Sequence, residues 1–185
     1  DLWVANRDGS QPRRLTIDEG VESNPIFSPD GKTIAFSAEY DGNMDIFSVP
    51  VTGGVPTRLT FHPYSDIARD FTPDGKSVVF ASQRTLFTNR YTSLFTVPLN
   101  GGPVSELEIP NAYWASYSDD GKYIAVSDYS NGMYLLDSIS ITMLCENHDY
   151  NFLSIDISAD GESIVAGVDD GVILFGKDSS TPLWS

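Results

Sequence analysis

The side chains in this chain that suit chemistry are few and scattered. His62 lies in Phe61-His62-Pro63 and His148 in Glu146-Asn147-His148-Asp149. Two histidines in unrelated segments do not make a metal site, since zinc requires several donors brought together, so neither is expected to bind a metal. Asp41-Gly42-Asn43-Met44-Asp45 has Asp, Asn and Asp at alternate positions, as a calcium loop begins. It lacks the later glycine and the bidentate glutamate, because Ile46 to Pro50 reads as a strand, and a turn bonded by its own side chains is expected instead. Asp169-Asp170-Gly171 has the same reading. Cys145, the single cysteine, cannot close an internal disulfide. In Ile141-Thr142-Met143-Leu144-Cys145 it reads as a buried strand thiol, and the compartment stays open. With no Gly-x-Ser-x-Gly elbow and no phosphate loop, no catalytic residue, metal or cofactor is expected.

One group suits recognition instead. Glu22, Ser23 and Asn24, then Ile67, Ala68 and Arg69, then Ala112, Tyr113 and Trp114, then Phe152 and Leu153 stand at matching places in a repeated pattern. Expected on the inner strand of each repeat, where they would line one central opening, the candidate set is Glu22, Asn24, Arg69, Tyr113 and Trp114. An arginine, a carboxylate and two aromatic rings can hold an extended peptide or a partner loop, with Tyr113 and Trp114 as anchors. Equally, Trp114 can serve only to pack neighbouring repeats. Which applies depends on the elements that carry these residues.

The repeated element is a hairpin, Asn24-Pro25-Ile26-Phe27-Ser28-Pro29-Asp30-Gly31-Lys32-Thr33-Ile34-Ala35-Phe36-Ser37. Pro29 presets φ at the first turn position, Asp30 can bond its own backbone, and Gly31 takes the left-handed conformation that closes the loop. The apolar flanks suit strands packed on both faces. Copies occur at Asp70–Phe80, Ser116–Val126 and, more loosely, Asp156–Gly167, with Gly31, Gly75, Gly121 and Gly161 spaced 44, 46 and 40 residues apart. A period of about 40–50 residues with roughly four short strands in each is the signature of a β-propeller blade. The expected fold is therefore all-β: a β-propeller of four-stranded antiparallel blades, four full blades plus one half blade, in a single domain.

The half blade comes first. Asp1-Leu2-Trp3-Val4-Ala5 and Pro12-Arg13-Arg14-Leu15-Thr16 match the second half of later repeats, with no hairpin before them. The expected partition is 1–20 half blade, then blades over 21–62, 63–108, 109–149 and 150–185, the last closing on a fourth strand near Thr181-Pro182-Leu183-Trp184-Ser185. A half blade lacks its inner strands, so an exposed backbone edge and an uncovered apolar side at Leu2 and Val4 are expected. Either flanking sequence or another copy of the chain would fill that place.

The 185 residues carry a net charge of -15, which opposes binding to a phosphate backbone or an anionic membrane surface. No apolar run approaches the ~20 residues a spanning helix needs. A start at Asp1 without methionine fits a processed or partial chain. Composition shifts near residue 126: residues 127–185 hold Lys177 alone against ten acids, whereas ten of the eleven Lys and Arg lie before. The turns change too, from Gly53-Gly54 and Gly101-Gly102 to Asn131-Gly132 and Asp170-Gly171. Ordinary divergence between blades and a recombined or engineered chain both account for this.

Over residues 1–126 the chain resembles the N-terminal propeller of tricorn-type proteases and, more loosely, the propeller of TolB proteins. The resemblance rests on the hairpin above, Asp41-Gly42-Asn43-Met44-Asp45-Ile46-Phe47, and Gly53-Gly54-Val55-Pro56-Thr57-Arg58-Leu59-Thr60-Phe61-His62-Pro63. Residues 127–185, with Ile157-Ser158-Ala159-Asp160-Gly161 and Val168-Asp169-Asp170-Gly171-Val172-Ile173-Leu174-Phe175, look more like WD-repeat or quinoprotein-like blades. Tricorn-type enzymes carry their catalytic serine and histidine in later domains. The resemblance thus implies a non-catalytic docking or substrate-access domain, with a peptide or protein as partner.

Overall fold

A computed structural model describes residues 1–84, 92–109, 112–128 and 132–184. The expected turn at Ser130-Asn131 lies outside the described residues, as does Ser185. Within them the chain is all-β, with seventeen strands and no helix.

The strands form antiparallel sheets in chain order. β1 (Trp3–Val4) and β2 (Arg13–Arg14) pair as the half blade. The first blade is β3 (Val21–Phe27), β4 (Thr33–Glu39), β5 (Asp45–Pro50) and β6 (Thr57–Arg58). The second is β7 (Asp66–Phe71), β8 (Ser77–Ser82), β9 (Ser93–Pro98) and β10 (Ser105–Glu106). The third is β11 (Trp114–Tyr117), β12 (Tyr123–Asp128), β13 (Gly132–Asp137) and β14 (Met143–Asn147). The fourth has β15 (Phe152–Ile157), β16 (Ser163–Val168) and β17 (Gly171–Gly176). Together these four blades make a β-propeller, and the inner strands β3, β7, β11 and β15 pack successively against one another.

Among the described residues, the place of the fourth strand expected near Thr181–Ser185 is taken by a single bridge, Leu174 to Trp184. Pro182 has no N–H to donate, and Thr181 donates its own to the Ser179 hydroxyl. The ladder therefore ends after Leu183 N–H to Leu174 O and Leu174 N–H to Trp184 O.

The hairpin turns are built identically. Gly31, Gly75, Gly121 and Gly161 have φ of 67°, 68°, 72° and 74°. In each turn the aspartate accepts from a hydroxyl two residues back and from the backbone N–H two residues on, as Asp30 does from Ser28 Oγ at 2.7 Å and Lys32 N at 3.0 Å. Successive turns also touch: a Cβ on Gly75 would lie 3.5 Å from Pro29, and one on Gly121 only 2.9 Å from Pro73.

Blade faces alternate between two cores, because a strand packed on both sides sends alternate residues to opposite faces. Ile34, Phe36, Ala38, Phe47 and Val49 face the half blade, while Ala35 and Ile46 face the second blade beside Phe71 and Phe80. Here the expectation of an uncovered apolar side at Leu2 and Val4 is corrected. Leu2 is buried against Phe36 and its neighbours and Val4 packs on the same cluster. The cover comes from the next blade along the chain, not from strands within the half blade's own sheet. The exposed apolar residue of β1 is Trp3, at 64%.

Candidate functional site

Three of the five candidate residues come together between the second and third blades. On β7 the register to β8 runs Ala68 to Phe80 and then Asp70 to Val79, leaving Arg69 as the extra residue of a β-bulge. A bulge breaks the strand's alternation and re-aims a side chain. The Arg69 side chain reaches across to the next blade, where its Nε–H donates to the Tyr113 carbonyl at 2.6 Å. The guanidinium carbon lies 4.0 Å from the centre of the Tyr113 ring and 3.8 Å from that of Trp114. The two rings meet edge to face with centroids 5.5 Å apart. Arg69 is only 8% exposed, yet its Nη1 and Nη2 have no hydrogen-bond partner among the described residues. Loss of hydration pulls its pKa down to about 10, against support from Tyr113, so it remains a cation at neutral pH.

Glu22 and Asn24 lie on β3, one blade earlier. The Glu22 carboxylate accepts from Thr16 Oγ1 at 2.6 Å and from the Tyr40 hydroxyl, and Thr16 Oγ1 in turn accepts the Leu2 N–H at 2.8 Å. Glu22 therefore joins the half blade to the first blade. Asn24 has φ of 51° and sits where the register between β3 and β4 slips.

Sequence reasoning missed Asp70, the residue after the bulge. Its Oδ1 accepts the Phe71 N–H and its Oδ2 the Tyr117 N–H of the third blade, both at 2.7 Å. Burial pushes its carboxyl up to about 6, against the pull of these two bonds and helped by Asp156 and Asp119. It borders a cleft of about 290 Å³ whose walls include Phe27, Pro29, Pro73 and Tyr117. The available signal was an acid just before the apolar residue that enters the turn, repeated as Asp156-Ile157, where Asp156 also caps the next N–H at 2.9 Å.

A pH dependence follows. A carboxyl near 6 in the fold and near 3.8 when unfolded binds more protons in the folded state between those values. Its contribution is therefore largest at low pH and is lost as pH rises through 6. The turn aspartates act oppositely and at lower pH: the Ser28 hydroxyl and the Lys32 amide hold Asp30 below the ordinary carboxylate range, and the Lys122 side chain, with the Lys122 amide and the Ser118 hydroxyl, does the same for Asp120. Urea unfolding at pH 5 should show a gain of about 1 kcal/mol over pH 7.5 that Asp70→Asn lacks. The same pH difference in both proteins would remove Asp70 as its source.

The other candidates are locally satisfied. Arg58 bridges Asp41, at 2.8 Å, and Asp45, and Asn43 Nδ2 donates to the His62 carbonyl at 2.7 Å, so the side chains of the calcium-like stretch are bonded to Arg58 and His62 farther along the blade rather than within their own turn as expected. His62 stacks on Tyr64, and His148 meets the edge of Tyr134. Cys145 is buried beside Leu135 and Phe175, and burial pushes its thiol up. Among the described residues no group of three or more His, Cys, Asp or Glu side chains is placed to hold a metal ion.

Comparison with known proteins gives consistent results. The family model described as the tricorn protease N-terminal beta propeller domain matches residues 1–134. The putative tricorn protease homolog 2 of Streptomyces coelicolor is 42% identical over 55 residues, covering 29% of this chain and 5% of that protein. A protein TolB homolog of Chlorobium luteolum is 33% identical over 54 residues, 29% of this chain and 12% of its own length. The chain thus spans a small part of the curated relatives it matches. The crystal structure of TolB from Acinetobacter baumannii superposes with a TM-score of 0.76 at 22% identity, over 97% of this chain and 47% of that one, which establishes likeness of fold.

Proposed function

This chain belongs to the family of tricorn protease N-terminal β-propeller domains, and from that premise we propose that it is a non-catalytic scaffold binding a peptide or protein. The observation that carries the reading is the Arg69, Tyr113 and Trp114 cluster. A buried cation on β7 and two partly exposed aromatic rings at the entry to the neighbouring inner strand β11 form the anchor type that dominates binding hot spots. Asn24 on β3, partly exposed, extends the surface, whereas the Glu22 side chain is itself shielded from solvent and acts only through its hold on the half blade. The net charge of -15 disfavours nucleic acid and anionic membranes as partners.

Family membership favours a second reading, a substrate-access propeller of a tricorn-like serine peptidase, in which the same cluster would touch passing peptides. The family match stops at residue 134, close to the composition shift at 126, which supports reading the remainder as drawn from another propeller lineage. Selection of random dodecapeptides against the purified chain tests the binding role. Enriched peptides should bind Trp114→Ala at least 10-fold more weakly, as hot-spot truncation does. Failure to enrich any peptide, or equal binding by Trp114→Ala, would overturn it.

A further inference from the structure

Within the proposed peptide site, on which this step rests, we propose that Arg69 recognises a carboxylate of the bound segment through the Nη1 and Nη2 edge of its guanidinium, beside Tyr113 and Trp114. A guanidinium carries five N–H donors in a fixed fork. In this chain the Nε–H is taken by the Tyr113 carbonyl at 2.6 Å, and the four Nη hydrogens have no acceptor among the described residues although both nitrogens are shut off from solvent. Native proteins rarely leave a buried donor unmet, and an unmet buried charge is the costliest kind. Arg84, whose side chain is largely covered, behaves differently, since it pairs with the buried Asp66.

Geometry narrows what the missing partner is. The two rings flank the guanidinium and its Nε side is occupied, so the Nη edge is what remains. Two parallel donors on that edge match the two oxygens of a planar acid, the bidentate pairing in which arginine exceeds lysine. A single cation in a chain of net charge -15 suits a monoanionic carboxylate better than a doubly charged phosphate or a polyanion. In the free chain the edge is closed, while Tyr113 and Trp114 are each only partly buried. A rotamer change of a ring on binding, common at interfaces, opens it, and the ring then keeps water from the ion pair.

The carboxylate can belong to a chain terminus or to an Asp or Glu side chain, and both sources are tested together. With Trp3 and Trp184 replaced by phenylalanine, Trp114 is the remaining tryptophan of the three and its emission reports on the site. Three probes are titrated: acetyl-Gly-Gly-Gly-Phe with a free terminal carboxylate, the same peptide as its amide, and acetyl-Gly-Asp-Gly-Phe amide. One acidic probe should bind at least 10-fold tighter than the neutral amide, and which one does so identifies the source. Arg69→Met should bring the acidic probe down to the neutral level while the urea midpoint stays level or rises, because an unpaired buried charge has been removed. If that variant fails to fold, Arg69→Lys, which keeps the charge without the fork, should show a several-fold partial loss. Equal binding of acidic and neutral probes, or undiminished preference in the Arg69 variants, overturns this inference and leaves peptide binding standing. Absence of binding by every probe and by selected peptides overturns both.

Discussion

Phe36→Ala is expected to lower the unfolding free energy by about 3–5 kcal/mol, the range for deleting a fully enclosed aromatic side chain. Phe36 has no exposed surface, stacks on Phe47 with centroids 5.9 Å apart, and forms one cluster with Leu2, Leu15, Ala38 and Val49. It is the central element of the surface on which the half blade sits. The cavity should therefore weaken two things together, the first blade's core and the attachment of β1 and β2. Urea unfolding gives the total. Amide exchange separates the parts: the Leu15 N–H, bonded to Leu2 O at 2.8 Å, should lose more protection than Val79 in the second blade. A loss below 1 kcal/mol, or equal loss of protection at both sites, would show that the half blade is held some other way.

The second large effect is expected from Arg58→Ala, about 3 kcal/mol, because it strands a buried carboxylate. Asp45 has a side chain only 2% exposed and draws on Arg58 and on the Thr60 hydroxyl, while burial already holds its carboxyl above the usual range. Arg58 also donates through Nε to the Thr60 carbonyl at 2.9 Å. The half blade repeats this arrangement in Arg14, Asp1 and Thr16, but there both charged side chains are substantially exposed, at 42% and 33%. Arg14→Ala should then change stability by less than about 1 kcal/mol. Chemical denaturation of the two variants side by side decides the matter. Equal losses would mean that burial of Asp45 is not what gives Arg58 its weight.

What the amino-acid sequence made legible was whatever is decided within a few residues. The Pro-Asp-Gly turns are of this kind, since proline, a self-bonding aspartate and a left-handed glycine settle the loop before any other blade is present. Their spacing then implied the blades. Relations between blades were not legible. Arg69 was expected on an inner strand, but the bulge that directs it to Tyr113 arises from one extra residue between Ala68 and Asp70, visible only once the partner strand's register is known. Asp70 was passed over because its second partner, the Tyr117 N–H, is 47 residues away. The cover over Leu2 was misjudged for the same reason, being supplied face to face by another sheet. Glu22 read as a ligand group, and its partners Thr16 and Tyr40 belong to two different blades.

The stitches between neighbouring blades carry a last consequence. Ala68 N–H donates to Ser37 Oγ at 2.8 Å, Tyr117 N–H to Asp70, and Asp119 N–H to the Ala159 carbonyl at 3.1 Å. Each is a short bond from one repeat to the next in sequence, and the main packing contacts follow the same order. Energetically such a row is a one-dimensional lattice, whose stability is a sum over units and their shared boundaries. A unit in the middle can then be traded for any other that offers the same acceptors at its borders, while distant units register nothing. Heredity needs only a duplicated stretch of coding sequence to lengthen such a row, and the Ser37, Asp70 or Ala159 acceptor at each seam is among the fittings that a newcomer must match.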